Sequence, residues 1–140
     1  MKPRISPDNY RSTLSSLELK ALYLKDCDAK YKEDFLSQSL QLDIKEKASY
    51  TQDDRNLYIT YKYQLKAKDA DKDNPAVIIT AVYVVQYEKS QEVVVTDDFI
   101  EVFQDLTLGM LLWPYFREFT NNMIYRMNLP PLLLGLRKRL

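Results

Sequence analysis

The sequence predicts an α+β fold: a four-stranded antiparallel sheet, read as a meander, followed by a C-terminal helical segment. Three observations carry that reading. Residues 57–68 alternate with period 2, placing Leu57, Ile59, Tyr61, Tyr63 and Leu65 on one face and Thr60, Lys62, Gln64 and Lys66 on the other. The stretches on either side, 52–56 and 69–75, are short and rich in Asp and Asn. Such turns join antiparallel neighbours, since parallel pairing would need a crossover helix. From residue 97 onward the apolar spacing changes to steps of three and four, which is a helical period.

Taken in order, residues 1–13 are polar and proline-marked and read as a loose N-terminal arm. The sheet is expected within 14–90. Its first strand covers 17–24, with a phase change where Leu17, Leu19 and Ala21 give way to Leu22 and Leu24. A β-bulge explains such a switch. The second strand, 36–48, sets Leu40, Leu42 and Ile44 against Gln41, Asp43 and Lys45. The fourth, 76–88, carries Val77, Ile78, Ile79, Val82, Tyr83, Val84 and Val85 on both faces, so it should be covered on both sides.

Helices are expected over 97–128. Thr96-Asp97-Asp98 reads as a cap, and Phe99, Ile100, Val102, Phe103 and Leu106 follow up to a stop at Gly109. A second helix starts with Pro114 in its first turn. Its apolar stripe is Phe116, Phe119, Met123 and Met127, with Ile124 beside it, a face that would pack on the sheet or on another copy. Asn128 and Pro130-Pro131 end it. Residues 129–140 then form a proline- and leucine-rich loop and the basic tail Arg137-Lys138-Arg139.

Composition narrows the function. The chain's 140 residues suit one domain, 1–140. Twenty basic and twenty acidic residues cancel, which argues against nucleic acid or an anionic membrane as partner. Histidine is absent, removing the commonest general base and metal ligand. With two glycines no glycine-rich phosphate loop is available. Asp69-x-Asp71-x-Asp73 begins like a calcium loop but lacks its glycine and closing glutamate. The single Cys27 has no activating neighbour. The expectation is therefore a non-enzyme with no metal or cofactor. The apolar runs are too short to span a bilayer and no secretory signal is evident, so a cytoplasmic protein without membrane insertion is expected.

The order Trp113-Pro114-Tyr115-Phe116-Arg117-Glu118, then Asn121-Asn122, then Leu129-Pro130-Pro131-Leu132 resembles the C-terminal half of SecB, the export chaperone, and of its SecB-like relatives. That resemblance implies a holdase that binds non-native polypeptide, assembled as a homo-oligomer, tetramer or dimer. It implies a client groove bordered by Trp113, Tyr115, Leu129, Pro130, Leu132, Leu133 and Leu134. The outward sheet face around Tyr58 and Tyr87 is the second candidate. Two departures bear on the client. SecB proteins usually continue with a second long helix and an acidic tail, where this sequence reads Leu134-Gly135-Leu136-Arg137-Lys138-Arg139-Leu140. SecB also docks the translocase motor SecA through an acidic sheet surface, whereas this chain is neutral. The expectation is a dedicated antitoxin chaperone of a toxin–antitoxin–chaperone module. The alternatives are an export chaperone delivering preproteins to the Sec translocase, and an assembly module reusing the fold.

Overall fold

A computed structural model describes residues 5–131 of the chain. Helix α1 (Pro7–Ser15) leads into strands β1 (Glu18–Tyr31), β2 (Leu40–Gln52), β3 (Asn56–Asp69) and β4 (Val77–Glu88). A long helical run follows, made of α2 (Asp97–Phe103), a widened π turn (Gln104–Leu108) and α3 (Gly109–Arg126). The helical run covers one face of the sheet. Its side chains interleave with those of β3 and β4 in a core that includes Tyr61, Tyr63, Leu65, Ile79, Phe99, Phe103, Leu112 and Phe116.

The sheet is antiparallel throughout, but it is not a simple meander. Strand order is β1-β4-β3-β2, so β1 lies beside β4 and the sequence-adjacent β2 forms the opposite edge. Alternation along a strand tells which residues share a face; it does not tell which strand is the neighbour. What permits the Greek-key route is the 32–39 connection, which travels about 14 Å across the ends of β4 and β3. Lys32 N–H donates to the Ala76 carbonyl at 2.8 Å as it leaves β1, and Glu33–Phe35 then form one 3-10 turn.

The phase change in β1 is a bulge. Pairing with β4 slips between Leu19 and Ala21 and again between Leu24 and Asp26. Each slip re-aims the strand, so Leu19, Leu22, Leu24, Cys27, Ala29 and Tyr31 all share a side with buried residues of β4.

Three expectations need correction. The N-terminal arm is not loose throughout: Ser6 Oγ accepts the Asn9 N–H at 3.2 Å, Pro7 takes the first turn, and Tyr10 stacks on Phe99 at 5.0 Å. Ser-Pro-Asp is a helix start even before a polar run. Gly109 does not stop a helix; it is helical at φ −59° and buried, and the Tyr63 hydroxyl donates to its carbonyl at 3.4 Å. A glycine here permits the close approach of that ring. Pro114 is inside α3 rather than in a first turn; it is exposed, as Met110 is, and having no N–H it supplies no i+4 donor to the Met110 carbonyl.

The buried stripe also differs from the expected one. It runs Phe99, Phe103, Leu108, Leu112, Phe116, Thr120 and Ile124. Each step is four except Phe103 to Leu108, which is five and spans the widened turn. A π turn holds more residues, so a step of five there keeps the stripe on the sheet. Phe119, Met123 and Met127 flank this stripe half-buried rather than forming its centre.

Candidate functional site

The end of α3 is built as a Schellman motif, and that motif shapes a cleft. Asn128 adopts φ 55°, the left-handed conformation that asparagine tolerates better than most residues. Its N–H donates to the Tyr125 carbonyl at 3.0 Å, and the Leu129 N–H donates to the Ile124 carbonyl at 3.1 Å. This pairing folds Leu129 back over Ile124. Pro130 and Pro131 then hold the chain extended and cannot resume the helix.

The facing wall comes from the crossover connection. Phe35 and Leu36 pack against the core, and the Lys72 Nζ donates to the Asp34 carbonyl at 3.2 Å. Ser37 and Asp71 hydrogen bond to the Asp69 carboxylate and hold its pKa below the usual value, tying the 69–75 turn to the same connection. Between the walls is a cleft of about 620 Å³, lined by Leu36, Ser37, Gln38, Leu40, Leu42, Val77, Ile124, Leu129, Pro130 and Pro131. No charged side chain lines it. Its floor includes the first residues of β2, an edge strand whose outer backbone groups have no strand beside them among the described residues. Leu42, directly across from Ala67, is 38% exposed.

The sequence-derived site residues separate into three places. Leu129 and Pro130 line the cleft, joined by Ile124, which was expected only as a core or oligomer residue. Trp113 is half-buried against Tyr63 and Phe116, each at 6.1 Å, and so serves the core. Tyr115 is 49% exposed and faces Tyr83 at 6.4 Å, roughly 20 Å along the helix from Leu129. Leu132, Leu133 and Leu134 lie outside the described residues. Of the second candidate pair, Tyr58 is on the outer sheet face while Tyr87 is buried under the helices against Phe103 at 5.5 Å. Leu36, Leu40, Leu42 and Val77 were not expected at a site; nothing in the sequence near them signals the crossover that gathers them.

Chemically the cleft offers apolar surface and shape. It contains no titratable group, and among the described residues no three of His, Cys, Asp or Glu stand close enough to hold a metal ion. No described helix is long and apolar enough to cross a membrane.

Comparison with known proteins gives a likeness in fold. No family model and no curated protein matches the sequence. Among solved structures, the Mycobacterium tuberculosis Rv1957 SecB-like chaperone, in complex with a ChAD peptide from the Rv1956 HigA1 antitoxin, superposes with a TM-score of 0.76. The match covers 93% of this chain and 97% of that chain, at 17% identity. This is the SecB-like fold. A protein of unknown function from Streptococcus agalactiae aligns at a TM-score of 0.43 and 10% identity over 85% of this chain and 96% of that chain, too distant to bear on function. The SecB-like fold accounts for the sheet that the sequence expected and for the crossover that it did not.

Proposed function

We propose that this chain is a SecB-like holdase whose neutral apolar cleft anchors large apolar side chains of a non-native polypeptide. The observation that carries the reading is the cleft itself, uncharged and open beside the edge strand β2. A holdase must accept many sequences, so it gains from apolar contact without fixed polar partners. An adjacent strand edge adds backbone hydrogen bonds that any extended client offers. The fold likeness to a chaperone holding an antitoxin peptide supports an antitoxin as the client, in a toxin–antitoxin–chaperone module. The protein would be a binder rather than an enzyme, and it would need no cofactor.

A homo-oligomer is part of the same proposal. Leu19 at 47%, Tyr23 at 51%, Leu24 at 41% and Tyr31 at 45% exposure all lie on β1, the other edge strand. A long exposed edge with apolar side chains is a surface that a second copy would cover. The export reading gains no support from the sheet, whose outer surface on β2 and β3 carries lysines at Lys45, Lys47, Lys62, Lys66 and Lys68. The test is suppression of aggregation of a chemically unfolded client by the parent and by Leu42→Ala with Leu129→Ala. The proposal expects weakened suppression by a variant that is still folded.

A further inference from the structure

The sheet face turned away from the helices carries a pattern that the cleft does not use. Register places Lys47, Lys62, Val82 and Asp26 in one row across the four strands. The next outward rows read Lys45, Gln64, Thr80, Asp28, and then Asp43, Lys66, Ile78, Lys30. The β2–β3 half thus bears four lysines against Asp43, and Lys68 extends it toward the end of β3. Among the described residues none of these five lysines makes an ion pair, although Lys47 and Lys62 stand directly opposite each other. Like charges across a strand pair are unfavourable to the fold.

We propose that this outer face docks a protein segment that lies extended along the strands, with acidic side chains toward β2 and β3 and aliphatic side chains toward β4. The surface sets both requirements. Lysines two residues apart on a strand recur at about 7 Å, which matches carboxylates on alternate residues of an extended segment. Beside them Ile78 and Val82 are half-buried and aliphatic, so they take branched side chains. Nucleic acid fits less well. The stripe lacks stacking aromatics next to the lysines, and the far rim is mixed, with Asp26 beside an Asp28 already paired to Lys30 at 3.4 Å, so the cationic surface ends at β3. A second copy fits less well too. Its own β1 acids would reach only the edge lysines of β2, leaving Lys62 and Lys66 against Val82 and Ile78 in the middle with no carboxylate.

The test is fluorescence anisotropy of a labelled twelve-residue peptide of alternating Glu and Val, titrated with the full chain. A Lys–Val peptide and a twelve-nucleotide oligothymidylate are the controls. The Glu–Val peptide should bind, the Lys–Val peptide should not, and raising NaCl from about 20 to about 300 mM should weaken binding at least tenfold. The triple variant Lys45→Glu, Lys62→Glu, Lys66→Glu, checked for an unchanged melting temperature, should lose at least tenfold in affinity. The cleft pair Leu42→Ala, Leu129→Ala should stay within about twofold, which separates this surface from the proposed client site. No binding of the Glu–Val peptide, or salt-independent binding, overturns the proposal. So does equal binding by a folded triple variant, or loss on changing the cleft pair alone. Tighter binding of oligothymidylate would assign the face to nucleic acid. An oligomer that falls apart in the triple variant by light scattering would assign it to a second copy. If the triple variant does not fold, the salt dependence of the unaltered chain decides.

Discussion

The two ends of the helical layer use similar side chains to opposite effect. At the α2 end everything is tied down. The Gln52 side chain donates to the Val95 carbonyl at 2.8 Å and accepts the Val95 N–H at 2.9 Å, so one amide holds both backbone groups of the strap before α2. The Tyr50 hydroxyl donates to Asp97, and Thr96 caps α2 by accepting the Phe99 N–H at 3.1 Å. Lys89, though buried, donates to the Val93 carbonyl at 2.7 Å. Phe99 and Phe103 stack at 5.2 Å and fill the space below. At the Leu129 end no comparable latch crosses from helix to strand among the described residues, and a cleft of about 620 Å³ remains. The first end is organised for stability and the second leaves apolar surface available.

The comparison predicts a graded set of outcomes. The largest belongs to the core between the two ends. Phe116 has no exposure and stacks on Tyr63 at 4.5 Å, so Phe116→Ala should cost about 3–5 kcal/mol by denaturant titration and impair client binding through unfolding. Next is the latch. Gln52→Ala leaves the Val95 N–H and carbonyl without their partner, and should cost about 1–3 kcal/mol while client binding by the folded fraction is retained. A loss of binding without a loss of stability in this variant would break the division between the two ends.

A pH series sharpens the same contrast. Burial, aided by the Asp97 contact, pushes the Tyr50 hydroxyl up to about 12. Burial first, then Glu118 and Cys27, pushes Tyr83 to about 12, and burial first, then Tyr10, pushes Tyr87 to about 12. A folded-state value above the unfolded value of about 10 contributes stability that is complete below pH 10 and is lost as pH rises toward 12. Denaturation midpoints should therefore fall between pH 10 and 12. The decline should be shallower in Tyr87→Phe, which removes one titrating group from the closed end. A midpoint that is flat across this window would contradict the burial of these hydroxyls.

How much of this was legible in the sequence depends on whether the signal was local. The β3 alternation from Leu57 to Leu65 names one face, and the buried residues are those. The Leu19-to-Leu22 phase change names a bulge, and pairing slips there. Thr96 is a local cap and behaves as one. Strand order was not legible, because β1 chooses β4 over β2 through a connection whose path leaves no periodic trace. Thr120 was missed on the helix for a different reason. It is buried because it lies one turn from both Phe116 and Ile124 on the face the sheet covers, although polar residues ordinarily mark the outer face. Only Leu129 and Pro130 of the cleft were foreseen, since the remaining lining residues come from segments distant in sequence that meet only after the crossover forms.

The central claim is that the Leu129 end binds clients without being needed for the fold. Leu42→Ala with Leu129→Ala tests it directly, with stability and client affinity measured on the same preparation. Leu42 is partly exposed and Leu129 half-buried, so the pair should cost well under the roughly 2–5 kcal/mol of one buried leucine. The melting temperature should stay within a few degrees while affinity for an unfolded client falls about tenfold or more. A variant that unfolds, or one that holds clients as tightly as the parent, would contradict the account.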